Sequence, residues 1–416
     1  MDKRKLILSS SVANIFEWYD YALFGHFASI IAIKFFPDSD LKVSLLNTFL
    51  IFAIGYLMRP IGGVFFGILG DKFGRRTALS AAVICMAFPT AVVGMIPTYE
   101  TIGISSSVIM VIVRMLQGLS MGGALTGSIS FLIEHTDKKH RGFMGSVSMA
   151  SVCVGILIGS LVSYTIKTIL SPEQFLNWGW RLPFLFGIFI MFVGIYIRYY
   201  TQETPLFESL QNNNKVTSSP LREVVCVYWF DIIISIFINA TGSVIFYLQA
   251  IYMISFLKLN RGFNENVVDD LANICYLIMA ITALLTGWLS DLVGRRRIYI
   301  INLLIIVILI FIIMQMLEYG NFISIVIAQI ILSVLAAIYV GPEPALQAEF
   351  YPTNVRSTAL SLSYNVATSI FGGSTPYVME YLVQKTDSIS SCAYYILICS
   401  VLSIGALFFY KDRCVL

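Results

Sequence analysis

Apolar runs long enough for the roughly 20 residues that cross a bilayer core recur from one end of this chain to the other. Twelve such segments are predicted, over 8–34, 44–69, 78–97, 105–134, 143–170, 181–200, 224–256, 269–289, 298–317, 322–346, 358–383 and 392–410. Each reads as a membrane helix, because only helices and closed barrels satisfy their backbone groups in lipid. Several exceed 20 residues, which implies tilt or continuation beyond the bilayer. The longest connection without such a run is 201–223, between segments six and seven. It divides the chain into an N-terminal six-helix bundle (1–200), a linker (201–223) and a C-terminal six-helix bundle (224–416). Within the linker, 205–211 has an amphipathic pattern, and the Asn/Ser/Thr stretch after it reads as irregular.

The polar connections repeat. Gly70-Asp71-Lys72-Phe73-Gly74-Arg75-Arg76 returns as Ser290-Asp291-Leu292-Val293-Gly294-Arg295-Arg296, an offset of 220 residues (290 − 70). Glu134 and Arg141 return as Glu349 and Arg356 with the same spacing, at an offset of 215 (349 − 134). Two charged signatures in one order point to two homologous halves, an architecture typical of transporters. An Asp at a helix end followed by Arg-Arg suits charge pairing and helix-end contacts between bundles. Asp71, Arg75, Arg76, Glu134, Arg141 and Glu203 in the first half are therefore expected to form a cytoplasmic gate. Asp291, Arg295, Arg296, Glu349 and Arg356 are expected to complete it from the second.

Composition agrees with the pattern: 57% of residues are hydrophobic and 12% charged, with a mean hydropathy of +0.81. These values describe an integral membrane protein. With both termini inside, the inner positions take Lys3, Arg4, Lys5, Lys72, Arg75, Arg76, Lys138, Lys139, Arg141, Lys215, Arg222, Arg295, Arg296, Arg297, Arg356, Lys411 and Arg413. The outer side takes Lys34, Lys42, Lys167, Arg181, Lys258, Arg261 and Lys385. That bias sets both termini of a multi-pass membrane protein on the cytoplasmic side. The net charge of +3 reflects topology and gives no reason to expect nucleic acid. Glu17 and Asp20 in the first segment, without a small-residue cleavage site, argue against a removable signal peptide. The six residues after segment twelve carry no heptads, so no coiled-coil module is expected there.

Ionisable groups inside such segments are costly and need a partner or a task. Segment one carries Glu17 and Asp20, with Asn14 and Tyr21 on nearby faces. A carboxylate in a partly dry cavity is a natural proton carrier; the alternative is a permanently paired structural charge. Arg59 lies at a depth similar to that of Glu17. Arg114 lies several ångströms along the membrane normal from Asp20 by residue counting, yet is the candidate partner of that acid or of a substrate carboxylate. Arg114-x3-Gly118-x3-Gly122 and Gly155-x3-Gly159 place small residues on one stripe for close helix packing. Gly372-Gly373 with Pro376 marks a bend in segment eleven. Ser243, Tyr247, Gln249 and Tyr339 belong to the expected substrate cavity. So do Asn14, Tyr21 and Phe24 of segment one, Gln117 of segment four and Asn365 of segment eleven.

Enzyme motifs are missing from the sequence: there is no HExxH, GxSxG or Walker-type phosphate loop. The seven cysteines form no CxxC pair, and the three histidines are scattered, so neither metal nor cofactor is expected. Uphill work would draw on an ion gradient.

Six motifs in order resemble the metabolite:proton symporters of the major facilitator superfamily, and in general pattern its proline/betaine transporters. They are Glu17-Trp18-Tyr19-Asp20-Tyr21 with Gly25; Arg59-Pro60-Ile61-Gly62-Gly63 leading to the loop at Asp71; Arg114-Met115-Leu116-Gln117-Gly118; Trp180-Arg181-Leu182-Pro183-Phe184; Glu203-Thr204-Pro205; and Phe350-Tyr351-Pro352 to Arg356 with Tyr364-Asn365. The resemblance implies an all-α fold of twelve membrane helices in two pseudo-symmetric bundles. It also implies a cavity lined by helices one, four, seven and ten, alternating access, and proton-coupled uptake by a monomer. Asp20 and Arg114 match the positions that serve the superfamily's sugar transporters as a protonation switch. Substrates in the family include proline, betaines, citrate, 2-oxoglutarate and shikimate. Two positions depart from its pattern: Ala124 where a Glu is common, and Glu343, within Gly341-Pro342-Glu343-Pro344, where members are usually uncharged. One strong cation in an aromatic cavity favours a zwitterion. A di- or tricarboxylate symporter and a non-transporting solute receptor are the alternatives.

Overall fold

A computed structural model describes residues 3–38 and 41–410, with side chains from 6–38 and 54–410. The side chains of Lys3, Arg4, Lys5 and Lys42, and all of residues 411–416 with Lys411, Arg413 and Cys414, lie outside the described residues. Among the described residues there is no strand. Helix one runs Lys3–His26 and resumes over Ala28–Phe35. Helix two is Leu41–Phe73, helix three Arg75–Met95, helix four Ile104–Glu134 and helix five Arg141–Ile169. Helix six comprises Leu182–Leu185 and Gly187–Tyr200. The connection that follows holds two short helices, Pro205–Asn212 and Pro220–Val227, the second in a stretch expected to open segment seven. Helix eight is Glu265–Val293, helix nine Arg295–Tyr319 and helix twelve Cys392–Phe408.

Nine described helices are long and apolar enough to cross a membrane. Helix one falls short of that measure because it carries Glu17 and Asp20, and helix eleven because it is interrupted; the first part of helix two, to residue 53, lies outside the described side chains. Burial is inverted relative to a water-soluble protein. Leu57, Ile308, Ile323 and Val401 stand exposed on the outside, whereas Glu17, Asp20, Arg59 and Glu343 are buried. Apolar side chains on the rim and polar ones in the bundle suit a lipid surround.

The glycine stripes act as packing surfaces. A Cβ on Gly118 would lie 1.9 Å from the Gly55 carbonyl oxygen, and one on Gly122 would lie 2.2 Å from that of Arg59. Helix four is therefore drawn tightly against helix two. Helix five lies equally close to helix one, where a Cβ on Gly155 would meet the Ile15 carbonyl oxygen at 2.5 Å.

Helices seven, ten and eleven each lose regular geometry near the middle of the molecule. Helix seven (Trp229–Tyr247, then Met253–Leu259) contains a π turn at Leu248–Tyr252. Helix eleven (Arg356–Ala367, then Thr375–Thr386) contains another at Thr368–Gly372. Helix ten runs Phe322–Val340 and restarts as Glu343–Glu349, with Pro342 at the break. Wide turns and proline breaks release backbone groups, which bundles tolerate where the chain lines a cavity.

Candidate functional site

Helix one presents Asp20 to helix four. Its Oδ2 lies 3.3 Å from Arg114 Nη1 and accepts a hydrogen bond from Gln117 Nε2 at 3.0 Å. Gln117 Nε2 also donates to Thr90 Oγ1 of helix three at 2.9 Å. The Arg114 guanidinium lies 3.7 Å from the centre of the Phe24 ring. Residue counting along straight helices had separated Asp20 from Arg114; the length of the arginine side chain bridges the offset. Glu17, one turn below Asp20, is 1% exposed, and neither of its carboxyl oxygens has a hydrogen-bond partner. Arg59 turns elsewhere: its Nε donates to Asn365 Oδ1 and its Nη1 to the Tyr247 hydroxyl, each at 3.3 Å. Its Nη2 is unpartnered.

Between the halves lies a small cavity of about 20 Å³, space for about one water. Its walls come from Trp18 of helix one, Met149 and Val152 of helix five, and Gly242, Ser243, Phe246 and Tyr247 of helix seven. Val340 and Glu343 of helix ten and Tyr364 and Thr368 of helix eleven complete it. Tyr56 joins the edge, its hydroxyl bonded to those of Tyr21 at 2.7 Å and Tyr247 at 2.8 Å. Helices one, seven and ten contribute as the resemblance implies, but helix four does not. Its small-residue face is committed to helix two, and helices five and eleven take the remaining walls.

Of the expected cavity residues, Ser243 and Tyr247 line this space, and Tyr21 stands beside it. The others are held elsewhere by their own bonds. Asn14 Nδ2 donates to Ser128 and Ser151, tying helices one, four and five together. Phe24 and Gln117 belong to the Asp20–Arg114 cluster. Gln249 Nε2 donates to Gln329 Oε1 at 2.7 Å. The Tyr339 hydroxyl bonds the Ile238 carbonyl, so this ring braces helix ten on helix seven instead of facing the cavity. Asn365 Nδ2 donates to the Gly122 and Ser361 carbonyls, linking helix eleven to helix four. Residue patterns passed over Trp18, Phe246 and Tyr364, which look like ordinary apolar positions. Glu343 had left a signal, as a carboxylate inside an apolar run.

At one end of the bundle the two halves are joined by charge. Asp71 accepts from the backbone amides of Ser357 at 3.1 Å and Thr358 at 2.8 Å, in the first turn of helix eleven. Asp291 accepts from those of Gly142 at 2.8 Å and Phe143 at 2.9 Å, in the first turn of helix five. Both carboxylates satisfy otherwise unpaired amides at a positive helix end. Glu134 sits between Arg75, at 3.0 Å, and Arg356, at 2.9 Å, and accepts from Thr204 Oγ1. Glu203 accepts from the amides of Arg75 and Arg76. Arg295 reaches Asp291 at 2.8 Å and Glu349 at 3.3 Å. Two expected members stand apart. Arg296 is exposed, and Arg141 donates to the Thr136 carbonyl and forms no ion pair among the described residues.

The family model for the Major Facilitator Superfamily matches residues 19–373 and 232–413. The chain belongs to that superfamily. Membership places it among membrane transporters and not among enzymes. It is 31% identical to the proline/betaine transporter of Escherichia coli K12, over 96% of this chain and 82% of that protein. It is also 31% identical to a putative proline/betaine transporter of Staphylococcus aureus MSSA476, covering 96% and 86%. Among solved structures it resembles the proton:xylose symporter XylE with a bound bromodeoxyglucose, with a TM-score of 0.80, 17% identity and coverage of 97% and 94%. For the inward-open form of XylE from E. coli the TM-score is 0.65, at 19% identity and coverage of 98% and 96%. In this superfamily member the two halves are joined at the charged end by the bonds at Asp71, Glu134 and Asp291.

Proposed function

We propose that this protein imports a small zwitterion, such as proline or a betaine, together with a proton, by alternating access. The observation that carries the reading is the buried Asp20–Arg114 pair within a bundle whose relatives are named proline/betaine transporters. An acid held by one arginine can exchange that partner for a proton, and the exchange changes the local charge by one unit. Glu17, buried one turn away, shares the coupling role. The charged end is the cytoplasmic gate, and the protein works as a monomer in the bacterial inner membrane with both termini inside. Residues 1–200 and 224–416 are the two rocking bundles, with 201–223 as the linker.

The experiment is uptake of labelled proline and glycine betaine into proteoliposomes under an imposed pH gradient. Accumulation that follows the gradient, and collapses with a protonophore, is the expected result. Binding without accumulation would sink the transport reading.

A further inference from the structure

We propose that Glu343 is the counter-ion for a cationic nitrogen on the transported solute, and so a specificity-determining residue of the central cavity. The inference rests on the transport reading above and names the substrate class it admits. Glu343 is 3% exposed and sits just after the proline break of helix ten, where it lines the central cavity. Among the described residues it has no ion pair. Three other acids of the core are compensated: Asp20 by Arg114, Glu134 by Arg75 and Arg356, and Asp71 by Arg75 and two amides. Glu17 lacks a partner too, but both its oxygens are sealed inside the protein and it does not line the cavity. Glu343 is thus the uncompensated carboxylate that a solute in this cavity would meet.

Its surroundings fit an organic cation. Trp18, Phe246, Tyr247 and Tyr364 share the cavity walls, and ring faces attract a cation by their quadrupole. An ionised carboxylate without a partner is unfavourable at this depth, and an incoming ammonium removes that cost. A purely anionic solute would instead be repelled by Glu343. The space of about 20 Å³ is too small for such a solute, so binding requires the halves to part at the end opposite the charged network.

The test uses the purified full-length protein, with glycine betaine and its carbon isostere tert-butylacetate as probes. The two have the same shape, but the isostere lacks the cationic nitrogen. Solute binding in detergent is read by tryptophan fluorescence, with Trp18→Phe as the control for the local signal, and uptake is read separately in proteoliposomes. Betaine is expected to bind and the isostere to fail. Glu343→Gln should raise KM and Kd for betaine by about 10- to 100-fold, the usual scale for losing a charged contact. Its uptake should keep its dependence on the pH gradient, and Glu343→Asp should recover part of the affinity. Equal binding of both probes, no binding of betaine or proline, or an unchanged Kd in Glu343→Gln would each overturn the assignment. Loss of gradient coupling with an unchanged KM would overturn it as well, since that is the behaviour of a proton carrier. Betaine binding that depends on Glu343 without accumulation would leave the counter-ion in place and remove the transport reading.

Discussion

Asp71 and Asp291 make the same contact in opposite directions. Each leaves the end of an even-numbered helix in one half and accepts two backbone amides at the start of an odd-numbered helix in the other. Small residues make the approach possible. A Cβ on Gly67 would meet Thr358 Cα at 2.7 Å, and one on Gly142 would meet Ser290 Oγ at 2.2 Å. In the proposed alternating-access cycle these bonds break when this end opens, so their loss is expected to shift the conformational balance more than it weakens the fold. Removing either carboxylate costs the closed state about 1–2 kcal/mol, the range for losing a helix-capping acid. Asp71→Ala and Asp291→Ala are each expected to speed thiol labelling of Ser361→Cys about tenfold. That site is buried where Ser361 meets Thr126 Oγ1 at 2.7 Å. An unchanged labelling rate in both variants would mean that the two contacts do not hold this end shut.

Much of this arrangement could be read from the chain. The repeated Gly/Ser-Asp-x-x-Gly-Arg-Arg turn and the paired Glu and Arg marked most of the residues that gather at this end, because charges on short loops between apolar helices have few partners, although Arg141 and Arg296 stand apart. The acceptors of Asp71 and Asp291 were hidden, since they are backbone amides that any residue supplies. Depth counting misplaced Arg114 relative to Asp20, because helices tilt and a long side chain covers the difference. The cavity was hardest to read. Its walls depend on which face helix four gives to helix two, and on the interruptions in helices seven, ten and eleven that turn Ser243, Glu343 and Thr368 inward.

Glu134 stands between two arginines from different halves and should be the most sensitive residue of the charged end. It and Arg75 are fully enclosed, and Arg356 nearly so. Glu134→Gln leaves two buried guanidinium groups under-compensated, a loss of about 3–5 kcal/mol in settings of this kind. The counterpart Glu349 meets Arg295, whose side chain is 16% exposed, so Glu349→Gln should cost less, about 1 kcal/mol. Thermal unfolding in detergent is expected to rank the variants in that order. The reverse ranking would show that the two networks do not differ in strength as their burial requires.

Asp20→Asn keeps the shape of the side chain and removes its charge. If Asp20 carries the coupled proton, gradient-driven accumulation disappears while solute counterflow, which needs no net proton movement, continues. Wild-type accumulation in the variant would assign coupling elsewhere, with Glu17 as the next residue to replace. Loss of both activities would instead point to a structural role.

Arg114→Lys separates charge from shape. The guanidinium contacts Asp20 at 3.3 Å while its central carbon lies 3.7 Å from the centre of the Phe24 ring. A lysine preserves the positive charge, but its compact, strongly hydrated ammonium lacks the planar fork that can do both at once. The cation–ring contact alone is worth about 1–2 kcal/mol when desolvated. Without it the ammonium is held less firmly beside Asp20, and the acid keeps a proton more readily. The variant is therefore expected to transport about tenfold more slowly at a given gradient, while Phe24→Leu, which removes the ring and leaves the arginine, shows a similar loss. If Arg114→Lys matches the wild type and Phe24→Leu does not, the ring serves packing alone and the charge at position 114 is sufficient for coupling.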